Sequence, residues 1–121
     1  MDDLDVYMVP STGTLLDAID MIERNRSRCV FVVEGEKNRV VGAMSEGDVM
    51  RLLLKGTSLY APLQDVANPS FKFLREHDVA AALDLFRRYF ITALPVVDDA
   101  FNLIHVIALR EMIDYLQQGQ K

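Results

Sequence analysis

The sequence predicts a mixed α/β (α+β) fold made of two β-α-β-β-α repeats that pack with pseudo-twofold symmetry. The main observation is an internal repeat: residues 14–33 read TLLDAIDMIERNRSRCVFVV and residues 78–97 read DVAAALDLFRRYFITALPVV, an offset of 78 − 14 = 64. Both copies have apolar residues at i, i+3, i+4 and i+7, one face of a helix, at Leu15, Ala18, Ile19 and Ile22 and at Val79, Ala82, Leu83 and Phe86. Because one half is too short to bury enough surface alone, we expect the halves to pack together and form paired clefts.

The first half carries a local signal for each of its elements. Thr14 and Asp17 have the spacing of a capping box that opens the first helix, and Gly56 is placed to end the second helix. The polar residues 34–38, which include Gly35, predict a hairpin turn. The predicted segments of this half are an extended stretch Val6–Pro10, a strand Cys29–Val33, a strand Arg39–Met44 and a helix Glu46–Leu54.

The second half repeats this order with a turn that is one residue shorter. Its predicted segments are an extended stretch Phe71–Leu74, a strand Ala93–Val97, a turn Asp98–Asn102, a strand Leu103–Ala108 and a helix Leu109–Gln117. We expect residues 1–58 to form the first repeat, 59–70 a connector and 71–121 the second repeat. Pro62 and Pro69 break the connector, which is predicted to hold one short helical turn near Leu63–Ala67.

Composition limits the class of protein. The chain has 121 residues, half of them hydrophobic, which is enough for one packed domain. A net charge of −5 argues against a nucleic-acid partner. Cys29 is the single cysteine, so no disulfide forms within the chain, and a reducing cytoplasm is expected. The acidic start MDDLDVYMVP is neither a signal peptide nor a membrane span, and we expect no membrane partner.

Two motifs carry a resemblance to a known family. Residues 42–48 read GAMSEGD after the predicted third strand, and residues 94–98 read LPVVD in the second half. In the context of the twofold repeat, these motifs resemble a tandem pair of cystathionine-β-synthase (CBS) domains, and the resemblance covers nearly the whole chain. Residues 47–69 are similar, less specifically, to CBS pairs fused to sugar-phosphate nucleotidyltransferases.

The resemblance implies a regulatory module that binds AMP, ADP, ATP or S-adenosylmethionine. In such modules the residue matching Asp48 accepts hydrogen bonds from the ribose, and the residue matching Ser45 lies beside the phosphates at a helix start. A helix N-terminus favours an anion, a carboxylate accepts from two hydroxyls, and a glycine leaves room for the base or sugar. The residues expected to contact the ligand are Arg28, Gly42, Met44, Ser45, Asp48, Thr92 and Ala93.

Each of these residues also has a structural interpretation. Ser45 and Asp48 have the spacing of an ordinary helix cap. Met44 is equally well explained as a core residue, and Arg28 as a solvated helix end. Arg51 is expected to be an ordinary surface residue, as is Lys55.

The second copy departs from the motif. Alignment places His105 at the position of Gly42, and places Ala108 and Glu111 at the positions of the motif serine and aspartate. We therefore expect one competent cleft and one weak or inactive cleft. His105 is interpreted as a strand residue that faces solvent or a subunit contact. Two histidines and one cysteine, scattered along the sequence, predict no metal site.

Three functions are compared. The leading hypothesis is an adenosine-nucleotide-sensing regulatory module, which forms a homodimer and acts on an attached catalytic domain, with AMP or S-adenosylmethionine favoured over ATP. The alternative is a structural dimerisation module without a ligand. A catalytic role for the chain itself is not predicted, since no nucleophile–base pair, metal cluster or Walker-type loop is found.

Overall fold

The computed structural model describes residues 4–119 and contains both predicted repeats. The strands are β1 Met8–Pro10, β2 Cys29–Glu34, β3 Arg39–Ser45, β4 Ala93–Val97 and β5 Leu103–Ala108. The helices are α1 Leu15–Asn25, α2 Glu46–Leu54, α3 Leu63–Val66, α4 Val79–Tyr89 and α5 Leu109–Gly119, and a 3-10 helix precedes β1 at Leu4–Tyr7. The predicted bounds of α2 and β5 agree with the structure, and the predicted turn near residues 63–67 is α3. Residues 1–3 and 120–121 of the predicted repeats lie outside the described residues.

The strands form two sheets of unequal size. In the first sheet β2 is central, parallel to β1 and antiparallel to β3, while the second sheet contains only β4 and β5, which are antiparallel. The predicted extended stretch Phe71–Leu74 forms no strand and has a single parallel bridge, from Leu74 to Val96. A physical reason is Pro95, which has no N–H with which to extend the ladder. The aligned residue of the first repeat, Phe31, pairs with Met8 of β1.

The leading segment of the first repeat also differs from the prediction. The extended stretch was expected over Val6–Pro10, but residues 4–7 form the 3-10 helix and β1 begins only at Met8. The strand contributes three residues to the sheet, paired with residues 31–33 of β2. The sequence alternation of this segment was too short to distinguish the two conformations.

Strand register confirms the alignment of the two repeats. Gly42 pairs with Val32 in the first sheet, and His105 pairs with Val96 in the second. A register shift follows immediately in both sheets, between Val32 and Val33 and between Val96 and Val97. His105 therefore occupies the position of Gly42 in the fold as well as in the sequence.

Caps define the ends of the α1 and α4 helices. The predicted capping box opens α1: Thr14 N donates to Asp17 Oδ2 at 2.9 Å, and Asp17 N donates to Thr14 Oγ1 at 3.3 Å. In the second repeat Asp78 caps α4. Both helices end on a left-handed residue at the same repeat position, Arg26 with φ 60° and Phe90 with φ 53°.

Both faces of β2 are buried, and they face different cores. Alternate side chains of a strand point to opposite sides. Val30 and Val32 pack in the core of the first repeat with Leu15 and Ile22 of α1. Cys29, Phe31 and Val33 point the other way, toward the second repeat. This explains why the strand is continuously apolar rather than alternating.

A shared core joins the two repeats. Its buried residues come from both halves: Cys29, Phe31, Val33 and Val40 from the first, and Ala93, Val97, Leu103 and Val106 from the second. Hydrogen bonds also cross between the halves, because Val40 N donates to the Phe101 carbonyl at 2.8 Å and Leu103 N donates to the Asn38 carbonyl at 3.0 Å. The pseudo-twofold packing predicted from the repeat is therefore observed.

Among residues 4–119, no helix combines the length and the apolar character needed to cross a membrane.

Candidate functional site

A cleft of about 510 Å³ lies between the repeats, within the size range of small-molecule sites. The first repeat contributes the N-terminal part of α2 and the adjoining ends of β2 and β3. The connector contributes its last residues, and the second repeat contributes residues 71–72 and 89–93. Five of the seven predicted ligand residues line this cleft: Arg28, Ser45, Asp48, Thr92 and Ala93. Folding thus brings together residues that are up to 65 positions apart in the sequence.

Ser45 and Asp48 form the capping box of α2 at the floor of the cleft. The Ser45 N–H and its hydroxyl donate to Asp48 Oδ2 at 2.9 and 3.0 Å, and the Asp48 N–H donates to Ser45 Oγ at 3.1 Å. The structural interpretation of these residues as a helix cap is therefore correct. It is compatible with a ligand role, because the capped helix end still presents its positive dipole end to the cleft.

Arg51 differs from its expected role. Its side chain is 66% exposed, as predicted for a surface residue, but it also lines the cleft, and its guanidinium donates to Asp48 Oδ1 at 2.6 Å. The spacing i, i+3 places the two side chains on one face of α2. Both carboxylate oxygens of Asp48 thus have protein partners, and a ligand hydroxyl would share or displace the Arg51 contact.

Arg28 and Thr92 occupy equivalent positions on opposite sides of the cleft. The carbonyl of Arg28 accepts from Glu46 N, and that of Thr92 accepts from Leu109 N, both at 3.0 Å. The Arg28 side chain is 70% exposed and its Nε is 3.7 Å from Glu46 Oε1, so it is free to reorient. The Thr92 hydroxyl instead donates to the Ser27 carbonyl and links the repeats.

Gly42 and Met44 do not line the cleft. Met44 is fully buried in the core of the first repeat, so of its two interpretations the core role is observed. Gly42 faces the connector: a Cβ at this position would lie 2.9 Å from Ala67 Cβ and 3.3 Å from the Asn68 carbonyl oxygen. Its missing side chain admits the connector, which pairs with Ala43 through two backbone hydrogen bonds of 2.9 Å.

Sequence reasoning missed the aromatic and basic wall of the cleft. This wall contains Phe71, Lys72, Tyr89 and Phe90. Lys72 Nζ lies 4.3 Å from the ring centroid of Tyr89, a cation–π contact. Phe90 is 89% exposed, which is unusual for a large apolar residue. The repeat contained one signal for this wall. Phe90 aligns with Arg26 at a helix end, and a phenylalanine at such an exposed position has no packing role in the core, which points to a role in binding.

The charges of the cleft are nearly balanced, with a small positive excess. Three cationic side chains, Arg28, Arg51 and Lys72, face two carboxylates, Glu46 and Asp48, and 3 − 2 = +1. Because the cations outnumber the carboxylates by one, the net charge of the cleft attracts a small anion.

Cys29 lines the cleft without the properties of a nucleophile. Burial, and to a lesser extent the nearby Asp48 carboxylate, raises the pKa of its thiol to about 12. A thiol in this state is protonated at neutral pH and unreactive. Its role in the structure is that of a small apolar residue of the shared core.

A second cleft of about 530 Å³ has the pseudo-symmetric position. Its lining includes His105, Ala108 and Glu111, the three substitutions identified in the second copy of the motif. Its other wall contains residues of the 3-10 helix, Leu4, Val6 and Tyr7. Their partners at the offset of 64, Asn68, Ser70 and Phe71, line the first cleft.

Comparison with known families agrees with the repeat. The family model described as "CBS domain" matches residues 1–55 and again residues 63–118. The chain belongs to the CBS domain family. One match falls on each repeat, so the chain is a tandem CBS pair, as its sequence predicted. A CBS pair is a regulatory rather than a catalytic module, which agrees with the expectation that this domain is not an enzyme.

Solved CBS structures have the same fold along almost the whole chain. A CBS domain protein from Pyrobaculum aerophilum complexed with AMP is 21% identical, with a TM-score of 0.73, and the match covers 98% of this chain and 99% of that one. CBSX2 in complex with AMP is also 21% identical, with a TM-score of 0.77 and coverage of 94% and 89%. At these identities the similarity shows the fold.

A curated relative extends beyond the CBS pair. An uncharacterized protein of Helicobacter pylori is 32% identical over 109 residues, which are 88% of this chain and 32% of that protein. The chain therefore spans about a third of the length of the curated relatives it matches.

Proposed function

We propose that this CBS pair is a regulatory module that binds an adenosine nucleotide in the cleft built on Ser45 and Asp48. One observation carries the proposal: a helix N-terminus, three cationic side chains and an aromatic wall converge on one cleft between the repeats. An anionic group, a sugar and a flat base each require one of these features. Two structural relatives are complexed with AMP, which supports AMP as the first ligand to test.

The residues have distinct roles in this proposal. Asp48 accepts the ribose hydroxyls, and the Arg51 guanidinium, released from it, turns to the phosphate together with Arg28. Phe71 and Tyr89 supply surface for the base, and Thr92 and Ala93 complete the wall from the second repeat. An excess of only one positive charge offsets little of the negative charge of a polyphosphate, so AMP is favoured over ADP and ATP, and S-adenosylmethionine, which has no phosphate, is the second ligand to test.

Regulation follows from the position of the cleft between two repeats. A ligand held by Asp48 on one side and by residues 89–93 on the other stabilises one relative arrangement of the halves. A preference of this kind passes to an attached domain as a coupling free energy, typically ~1–3 kcal/mol. The length of the curated relatives supports the presence of an attached domain.

The test is thermal melting and calorimetry of the chain with AMP, ADP, ATP, GTP and S-adenosylmethionine. We expect one adenosine ligand to raise the melting temperature, with ~2.7 kcal/mol of stabilisation at 100 times its Kd. Asp48→Ala should abolish the effect. Asp17→Ala is the matched control, because it removes the same capping contact from α1, outside the cleft. Unchanged affinity in Asp48→Ala, or an equal loss in Asp17→Ala, would reject the site.

A homodimer is the second part of the proposal. Two exposed apolar residues of α2 recur at the same repeat positions on α5, with Met50 matching Ile113 and Leu53 matching Leu116. These four side chains are 41–59% exposed. An exposed apolar face of this kind fits a second copy of the chain, because the twofold axis of a dimer would place the same helices of both copies against each other. Light scattering should give twice the monomer mass. A stable dimer that no nucleotide affects would instead favour the ligand-free structural module.

The attached catalytic domain is a further proposal, and the resemblance of residues 47–69 suggests a sugar-phosphate nucleotidyltransferase in the cytoplasm. The test is nucleotidyltransferase activity of the longest natural polypeptide that contains this sequence, measured with and without AMP. Activity that responds to AMP in the wild type but not in Asp48→Ala would support it. Absence of such activity would reject the nucleotidyltransferase while leaving nucleotide binding intact.

A further inference from the structure

The second cleft contains a group of side chains that the sequence analysis did not connect. His77 and His105 are 28 residues apart, and both lie beside Glu111. His77 Nε2 is 2.6 Å from Glu111 Oε2, and His105 Nε2 is 3.5 Å from Glu111 Oε1. The two imidazole rings meet edge to face, with centroids 4.6 Å apart. The two histidines, which are far apart in the sequence, are therefore neighbours in the folded chain.

Each member of this cluster is held by a different element. His77 immediately precedes Asp78, the N-cap of α4. His105 lies in the middle of β5, paired with Val96 of β4. Glu111 lies in the first turn of α5. Three separate segments of the fold thus bring their side chains to one point, which is the arrangement that a metal site needs before it binds an ion.

The distances suit a single metal ion. The candidate ligand atoms of the three residues all lie within 4.8 Å of one another. Ligands at ~2.0–2.1 Å from a tetrahedral ion are separated by ~3.4 Å. The 3.5 Å between His105 Nε2 and Glu111 Oε1 matches this value, whereas the 2.6 Å between His77 Nε2 and Glu111 Oε2 is a hydrogen-bond distance that would lengthen when an ion replaces the shared proton. The three ligand atoms are therefore close enough together to share one ion.

The cluster is specific to the second repeat. His105 aligns with Gly42, and His77 aligns with Gly13 at the offset of 64, so the first repeat has no side chain at either ligand position. The charge of the cleft also becomes more negative, because Asp114 lines the second cleft where the aligned Arg51 lines the first, and the carboxylates of Glu111 and Asp114 outnumber the single cation Arg110 there. The net positive charge of the first cleft suits an anionic ligand, whereas the second cleft contains nitrogen and oxygen atoms that can coordinate a cation.

We propose that His77, His105 and Glu111 bind a divalent transition-metal ion, with Zn²⁺ as the reference ion. Two imidazole nitrogens and one carboxylate oxygen form an established ligand set for zinc and related ions. These side chains are partly exposed, at 45%, 22% and 34%, so an ion can enter from the open cleft, and water can complete its coordination. This proposal does not depend on nucleotide binding in the first cleft.

The test is titration of the untagged, chelator-treated chain with ZnCl₂, followed by calorimetry, and with CoCl₂, followed by visible absorption. We expect one ion per chain, and Co²⁺ bands that report a histidine-containing site. His77→Ala and Glu111→Gln should each weaken Zn²⁺ binding by at least ~10–100-fold, the loss seen even for partners outside the coordination shell. Glu111→Gln preserves size, so a normal melting curve for this variant separates ligand loss from misfolding.

Cys29→Ser and Glu46→Gln are the matched controls, because they alter possible ligands in the first cleft. Both should bind Zn²⁺ as the wild type does. The proposal is overturned by any of three results: no saturable binding by the wild type, unchanged affinity in both His77→Ala and Glu111→Gln, or loss of binding in Cys29→Ser.

Discussion

At position 42 the absence of a side chain decides how closely the connector approaches the first sheet. Gly42 was predicted to make room for a base or sugar, but the space it leaves is occupied by Ala67 and Asn68. The close approach allows Ala43 and Asn68 to exchange two backbone hydrogen bonds. A motif glycine here is explained by chain packing, and ligand contact is not required.

Gly42→Ala should destabilise the chain by about 1–3 kcal/mol, because the new Cβ would lie 2.9 Å from Ala67 Cβ and push the connector outward. Urea unfolding measures the loss. Gly47→Ala is the control, since its Cβ would meet only Arg51 and Ser45 side-chain atoms at 3.5 Å or more. Equal stability of the Gly42→Ala chain and the wild type would contradict the packing explanation.

The two capping boxes show how one local motif takes different roles in different elements. Thr14 and Asp17 open α1 away from either cleft, while Ser45 and Asp48 open α2 at the floor of the first cleft. The local hydrogen bonds are the same in kind. Only the position of the helix end separates a cap from a candidate ligand site.

Thr14→Ala and Ser45→Ala should each reduce the free energy of unfolding by about 1 kcal/mol, because each leaves a helix N–H without its cap. Denaturant unfolding of the two variants checks this. Calorimetry with AMP should then separate them, since only Ser45→Ala alters the proposed site. If neither substitution lowered the free energy of unfolding, the capping boxes would not stabilise the fold.

For the whole molecule, the decisive feature is the core shared between the repeats. Phe31 is 1% exposed and packs among residues of both halves. The isolated halves each leave one face of β2 or β4 uncovered, since alternate residues of these strands belong to different cores. We therefore expect the two repeats to unfold as one cooperative unit.

Phe31→Ala should cost about 3–5 kcal/mol, through lost burial and the cavity that remains. Circular dichroism and tyrosine fluorescence should give coincident unfolding curves for the wild type, because both repeats depend on this core. Tyr60→Ala, which removes a 74% exposed aromatic ring, should change stability by less than about 0.5 kcal/mol. Separate transitions for the two probes would show that the repeats unfold independently.

Local signals in the sequence were sufficient for the helices and for strands β2 to β5, but not for the two predicted extended stretches Val6–Pro10 and Phe71–Leu74. Helical spacing and the Thr14–Asp17 cap located α1, and the repeat carried the same pattern to α4. The bounds of α2 were predicted to the residue, because Ser45 and Gly56 mark its ends. These features depend on neighbours within one or two turns, so they can be read from the sequence by itself.

Tertiary packing decided which side chains meet. Met44 is buried in the core, whereas Lys72 and Tyr89 come to the cleft from the start of the second repeat and from the end of α4. His77 and His105 belong to separate elements, and no local pattern connects them. Such contacts are set by how helices and sheets stack across long stretches of chain. The sequence by itself determined the repeats and their caps, and only the packed structure determined the composition of the two clefts.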